Sequence, residues 1–176
     1  MDFNVIWSRI QRAVKLEEGV YEEIGNDDGA TVQAMVVVGI AALVAGLGTL
    51  IGPGRFGVGS WIINAILSAT IGLAIGAGIL FLISRLFKAQ GGYMQLFRSL
   101  GYAYAPTALG IIPIIGGLVG VIWSVILAIR AVKETQSVSQ GAAVAIVLIP
   151  VAIILILAFL AAAAFLAMLG FAAANS

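Results

Sequence analysis

Two tyrosines, Tyr102 and Tyr104, open the stretch Gly101-Tyr-Ala-Tyr-Ala-Pro-Thr-Ala-Leu-Gly-Ile-Ile-Pro113. With Asn64, Ser68, Thr70, Thr107 and Ser124 they are the few polar groups set among long apolar runs. A hydroxyl becomes a nucleophile only beside a base, and the sequence has no histidine and no cysteine. A serine hydrolase or thiol enzyme is therefore not expected, nor are imidazole acid–base chemistry, disulfides or Cys/His zinc sites. Seven of the eight acids lie before residue 29, among them Glu17-Glu18, Glu22-Glu23 and Asp27-Asp28. Such oxygens could hold calcium, but the spacing of the twelve-residue EF-hand loop is absent. Asp27 or Asp28 capping the helix that follows is the simpler reading. Gly116-Gly117-Leu-Val-Gly120 lacks the Lys-Ser/Thr ending of a phosphate loop. No catalytic, metal-binding or cofactor-binding residue is expected, and the polar groups are left to line a path or, more simply, to bond between helices.

The elements that position these groups follow from composition. The 176 residues are 62% hydrophobic and 10% charged, against about 25% charged in a soluble domain, so the chain reads as an integral membrane protein. Thr31 to Ile51 is a run of 21 residues without a charge, enough to cross a hydrocarbon core of roughly 30 Å. Gly52-Pro-Gly-Arg-Phe-Gly-Val-Gly-Ser60 is a turn, and a second span runs from Trp61 to about Leu86. Ala42 and Gly46, Gly48 and Gly52, and Ser68, Gly72 and Gly76 fall four apart, a spacing that lets helix backbones approach. Ser137 or Ser139 is the expected cap of a last helix over residues 142–169. At roughly 42 Å that helix outruns the bilayer core, so it must tilt, protrude or bend, with Pro150 as the bend point. Ahead of the spans, residues 2–16 read as an amphipathic helix with Phe3, Ile6, Trp7, Ile10 and Val14 on one side. That pattern fits a helix in the membrane interface, Trp7 at headgroup depth and basic residues toward anionic lipid. A cytoplasmic helix packed on the bundle or on a partner is the alternative.

Residues 102–130 could be one broken span or two short ones. With two, Arg9, Arg12, Lys15, Arg85, Lys88, Arg98, Arg130 and Lys133 share one side and only Arg55 lies opposite. With one, Arg130 and Lys133 change sides, and eight against one becomes six against three. The positive-inside rule prefers the first count, and Pro113 is suited to open a new helix. The expected fold is all-α, a polytopic membrane bundle of five transmembrane helices with an N-terminal amphipathic interfacial helix. Its third span is short, about Leu96 to Ile112. Residues 1–29 form the cytoplasmic helix and acidic linker, 30–170 the membrane domain and 171–176 a tail, with the C-terminus outside. No charged side chain is expected deep in a span, which counts against an ion-coupled pump.

Phe97-Arg-Ser-Leu-Gly-Tyr-Ala-Tyr-Ala-Pro106 and the apolar run to Pro113 resemble the Yip family, the Ypt/Rab-interacting membrane proteins. Trp123-Ser124, Ala128-Ile-Arg-Ala-Val-Lys-Glu-Thr135 and Ile149-Pro150 extend the likeness, which covers about residues 30–170. It implies five spans, a cytoplasmic N-terminus, and a motif carried here by Gly101, Tyr102, Tyr104, Pro106, Pro113, Trp123 and Pro150. The first loop has only Gly52-Pro53-Gly54 where many eukaryotic members carry Asp-Leu-Tyr-Gly-Pro, and their long cytosolic N-terminal region has no counterpart. The resemblance thus points to a prokaryotic member in the cytoplasmic membrane, for which small-GTPase binding is not expected to carry over.

The expected role is a non-enzymatic membrane scaffold whose partners are lipids and other membrane proteins, a second copy of the chain among them, with no nucleic acid. An accessory subunit of a larger complex, or a pathway for a small solute or lipid, is the alternative. Tyr102 and Tyr104 are read as interfacial anchors.

Overall fold

The computed structural model describes residues 2–51 and 58–174, and among these it is helical with no strand. The turn residues 52–57 and the last two residues lie outside the described residues, so the expected close approach of Gly52 goes unassigned.

Helix α1 spans Phe3–Val14, opened by Asp2, whose carboxylate accepts the Asn4 N–H at 2.9 Å. It closes at Leu16, a left-handed residue (φ 59°), where the Leu16 and Glu17 amides reach back to the Ala13 and Arg12 carbonyls. The expected acidic linker then contains a helix of its own, α2, Val20–Asn26. Val20, Tyr21 and Ile24 bury one side of it completely. Asp27 makes the next turn, accepting the Gly29 N–H at 2.8 Å, and α3 follows as Ala30–Ile51.

The second long element begins as α4, Val58–Leu67. It passes through one wide π turn, Ser68–Gly72, and continues as α5, Leu73–Leu86. Lys88 (φ 58°) ends it as Leu16 ends α1, with the Lys88 and Ala89 amides on the Arg85 and Ser84 carbonyls. Helix α6 covers Tyr93–Ala103 and starts where the Gln95 side chain accepts the Gly92 N–H at 2.7 Å. Pro106 lacks an N–H and crowds the preceding turn, so the α-helix tightens there into a 3₁₀ segment, Ala105–Ile111. After Pro113 and the left-handed Ile114 come α7, Ile115–Thr135, and α8, Gln140–Ala174. Ser139 caps α8 by accepting the Ala142 N–H at 3.3 Å. Pro150 lies inside that helix.

Four of these helical stretches are long and apolar enough to cross a membrane: Ala30–Gly48, Gly59–Leu86, Ile115–Thr135 and Gln140–Met168. The α6–3₁₀ segment lies between the second and third. Gly101 packs on Ala34 and Gly110 on Ala45, so this segment runs beside α3 in the same direction. A Cβ at Gly101 would overlap the Ala34 side chain and backbone; only glycine allows that approach. Helix α7 returns along it, Gly120 against the Pro106 carbonyl and Thr135 beside Gly25 and Gly91. The bundle is therefore closed at the end holding α2, where Tyr21, Ile24, Leu96, Leu127, Val132 and Ile146 are buried. Its opposite part is open, and α8 is exposed along its apolar length from Ile153 to Phe165.

Candidate functional site

The family-like motif and the acidic segment meet at the closed end. Arg98, Ser99 and Tyr102 lie on the face of α6 that meets α2 and the start of α3. Arg98 is 9% exposed and spends its guanidinium on three partners. Its Nε donates to Thr31 Oγ1 and one terminal nitrogen to the Gly25 carbonyl, both at 2.9 Å, while the other pairs with Asp28. The Ser99 hydroxyl donates to the Tyr21 carbonyl and the Tyr102 hydroxyl to Gln33 Oε1, each at 2.7 Å. Arg9 of α1 reaches the same Gln33 oxygen at 3.1 Å and the Asp27 carboxylate at 2.7 Å. Arg12 bridges Glu17 and Glu23, and Arg130 bridges Glu18 and Glu134. Glu134 also accepts the backbone N–H of Tyr21 at 3.0 Å. Fully buried Gln136 closes the network: its oxygen accepts from Ser84 at 3.1 Å and its amide donates to the Gly92 carbonyl at 3.3 Å.

These neighbours set the electrostatics. The hydrogen bond from Arg9 holds the Asp27 carboxyl below its ordinary range, against a smaller opposing effect of burial. Burial works against the charge of Arg9, but its bonds to Asp27 and Tyr102 outweigh it and raise the guanidinium. Burial, helped by the charge of Glu134, pushes the Tyr21 phenol up, so it stays neutral and donates to the Ala13 carbonyl at 3.4 Å. Among the described residues no three His, Cys, Asp or Glu side chains gather within reach of one metal ion. Glu17, Glu18, Glu23, Asp27, Asp28 and Glu134 each face an arginine instead. The arrangement can tie elements together; it presents no aligned nucleophile and base.

The residues singled out from sequence are distributed unevenly. Ile6 and Ile10 pack α1 onto the bundle, whereas Phe3 and Trp7, 67% and 61% exposed, project away from it. The apolar side of α1 is thus divided between the protein and its surroundings. Tyr102 is fully buried, so the expected interfacial anchor is a tether inside the cap. Tyr104, two residues on, is half-exposed and lines two cavities, as does Thr107. One, of 280 Å³, is apolar and joins Tyr104 to Ser124 and Pro150; the Ser124 hydroxyl there has no hydrogen-bond partner among the described residues. The other, of 560 Å³, lies on the α3–α4 side. Pro106 is buried beneath α7, Pro113 stands exposed in the turn and Trp123 is half-exposed beside Ser124. Sequence reasoning used Arg9 only in the count of basic residues and passed over Tyr21, Gln33 and Gln136. Gln33 alone left a trace, as the one amide inside the first apolar run.

An all-helical chain with four helices long and apolar enough to span, and apolar side chains exposed along them, is a multi-pass membrane protein. Residues 18–163 match the Yip1 domain, more than half of the chain, and the protein belongs to that family. The match begins in the acidic segment and takes in α2, Arg98 and Arg130 of the closed end, whereas α1 with Arg9 and Arg12 precedes it. No curated protein and no solved structure matches the chain.

Proposed function

We propose that this Yip1-domain protein is a non-enzymatic membrane scaffold that binds lipids and other membrane proteins. It crosses the bilayer five times, in a prokaryotic cytoplasmic membrane, with its capped end and N-terminus inside and its C-terminus outside. The observation that carries the scaffold reading is the pairing of the cap. Its charged groups neutralise one another within the fold instead of converging on an empty site, while the apolar faces of α7 and α8 stay uncovered. The fifth crossing is supported by the path of residues 98–111 along α3, from Arg98 beside Thr31 to Gly110 beside Ala45. At about 1.5 Å per residue in α6 and about 2.0 Å in the 3₁₀ segment, that path measures about 25 Å, a short crossing of a roughly 30 Å core. Orientation is supported by the basic residues gathered at the capped end. Phe3 and Trp7, beside the basic side of α1, suit the interface of an anionic leaflet.

The test is purification of the intact protein from its native membrane in mild detergent, with mass spectrometry of the chains and lipids that accompany it. Stoichiometric membrane proteins or a second copy are expected, and their loss on Phe3→Glu with Trp7→Glu would place α1 at the contact. A chain that returns alone and lipid-free at native expression would overturn the proposal.

A further inference from the structure

The 560 Å³ cavity lies between α3, α4 with its π turn, and the 3₁₀ segment. Its walls are mostly small and apolar, among them Val38, Ala42, Ala45, Ala65 and Leu73. No charged side chain lines it. Trp61, Asn64, Ser68 and Gly72 follow one another along its helical wall, and Tyr104 and Thr107 face them. Two of these polar groups are committed: the Trp61 N–H donates to the Leu43 carbonyl at 3.0 Å and Thr107 Oγ1 to the Tyr104 carbonyl at 2.7 Å. The side chains of Asn64 and Ser68 and the Tyr104 hydroxyl make no hydrogen bond among the described residues. An amide carries two donors and an acceptor, and a polar group left unpaired away from water costs about 1–3 kcal/mol on protein scales. Asn64 and Tyr104 are exposed and Ser68 is half-buried, so this set is open to a partner within the membrane. The π turn, Ser68–Gly72, widens the helix at the level of the cavity, a feature often found at binding sites.

We propose that this cavity binds one membrane amphiphile with an uncharged hydrogen-bonding head, the hydroxyl and ester region of a neutral glycerolipid. The head bonds to Asn64 and Ser68, one helical turn apart, and the chain lies against Ala42, Ala45, Leu73 and the Tyr104 ring. A phosphate is disfavoured because no lysine or arginine lines the walls. Small apolar side chains at Ala42 and Ala45 leave the width that a chain needs. The inference deepens the lipid-binding part of the scaffold reading and rests on it.

The experiment uses the intact purified protein in phosphatidylcholine vesicles with a diacylglycerol that carries a diazirine in one acyl chain. Labelling is read by peptide mass spectrometry. Saturable labelling is expected on residues 38–46 and 61–73, competed by unlabelled diacylglycerol. Asn64→Leu is expected to lower it about fivefold, the worth of one hydrogen bond, and Ala42→Phe to remove it by filling the cavity. Asn64→Leu should melt no lower than wild type, since no protein hydrogen bond is lost, so it decides the matter if Ala42→Phe fails to fold. Labelling that never saturates, or that is as strong on residues 153–165 of α8, overturns the proposal. So does a dimer that Asn64→Leu dissociates while labelling is unchanged; that result assigns the polar stripe to a second copy. Membrane partners are counted in the same preparations. Partners retained without site labelling would sink the lipid site and leave the scaffold standing.

Discussion

The Tyr102 hydroxyl donates to the Gln33 side-chain oxygen at 2.7 Å, and the same oxygen accepts from Arg9. One amide thus joins α6, α3 and α1. Tyr102→Phe keeps the buried ring and removes one bond, a loss of about 1 kcal/mol. The expected result is a melting temperature lowered by a few degrees and faster hydrogen exchange at the start of α3 and in α1. Exchange unchanged in α1 would show that Arg9 holds the helix without the tyrosine.

Acid should release α1. The Asp27 carboxyl sits below its unfolded value because Arg9 bonds it. Its contribution is complete above the unfolded pKa, about 3.9, and disappears as pH falls through the depressed folded value. A nitroxide on Ser8→Cys, in a chain with no other cysteine, should be immobile at neutral pH and gain mobility below about pH 4. Asp27→Asn should raise mobility at neutral pH and flatten that change. A probe equally mobile across the whole range in the parent would contradict the docked position of α1.

Substitutions at close approaches should separate by position. Gly101→Val drives a side chain into Ala34 and should cost at least about 1–3 kcal/mol, read as lost monodispersity on gel filtration. Gly110→Leu should behave alike, because even a Cβ there meets Ala45 at 3.0 Å. Gly117→Ala, with nothing within 4 Å of the new atom, should be neutral or slightly stabilising. Equal tolerance at Gly101 and Gly117 would contradict the packing of α6 on α3.

Single cysteines report the crossings. In intact cells, Ser8→Cys, Gln90→Cys and Gln140→Cys should resist an impermeant maleimide, and Gly59→Cys and Ile114→Cys should react. Ser8 lies on the outer side of α1, the other four lie at helix ends or between helices, and all five are exposed in the fold. Reaction at Gln140 with protection at Ile114 would reduce residues 93–135 to a single crossing.

Much of the architecture was legible because it is local. Apolar runs gave the long helices, Pro106 and Pro113 the break and the turn, and Ser139 the cap of α8. What stayed hidden depends on residues far apart in the chain. Arg98 meets Asp28 and Thr31 across some seventy positions, and Glu134 meets Tyr21 across 113. No periodicity encodes such pairings. Helix α2 was masked by its two glutamates and by Glu17 and Glu18 ahead of it, though Val20, Tyr21 and Ile24 carry its buried side. The division of α1 was hidden too, since hydrophobicity alone does not say whether a side chain meets protein or lipid.

Among the described residues the ion pairs of the cap are all made by arginine: Arg9, Arg12, Arg98 and Arg130 take them, and Lys15, Lys88 and Lys133 take none. A guanidinium does not lose its proton in water and does not acylate under mild conditions, whereas a free ammonium does. Amine-directed reagents therefore have three handles at the closed end of the molecule that can be derivatised, tethered to a support or coupled to a dye while every ion pair beneath them stays intact.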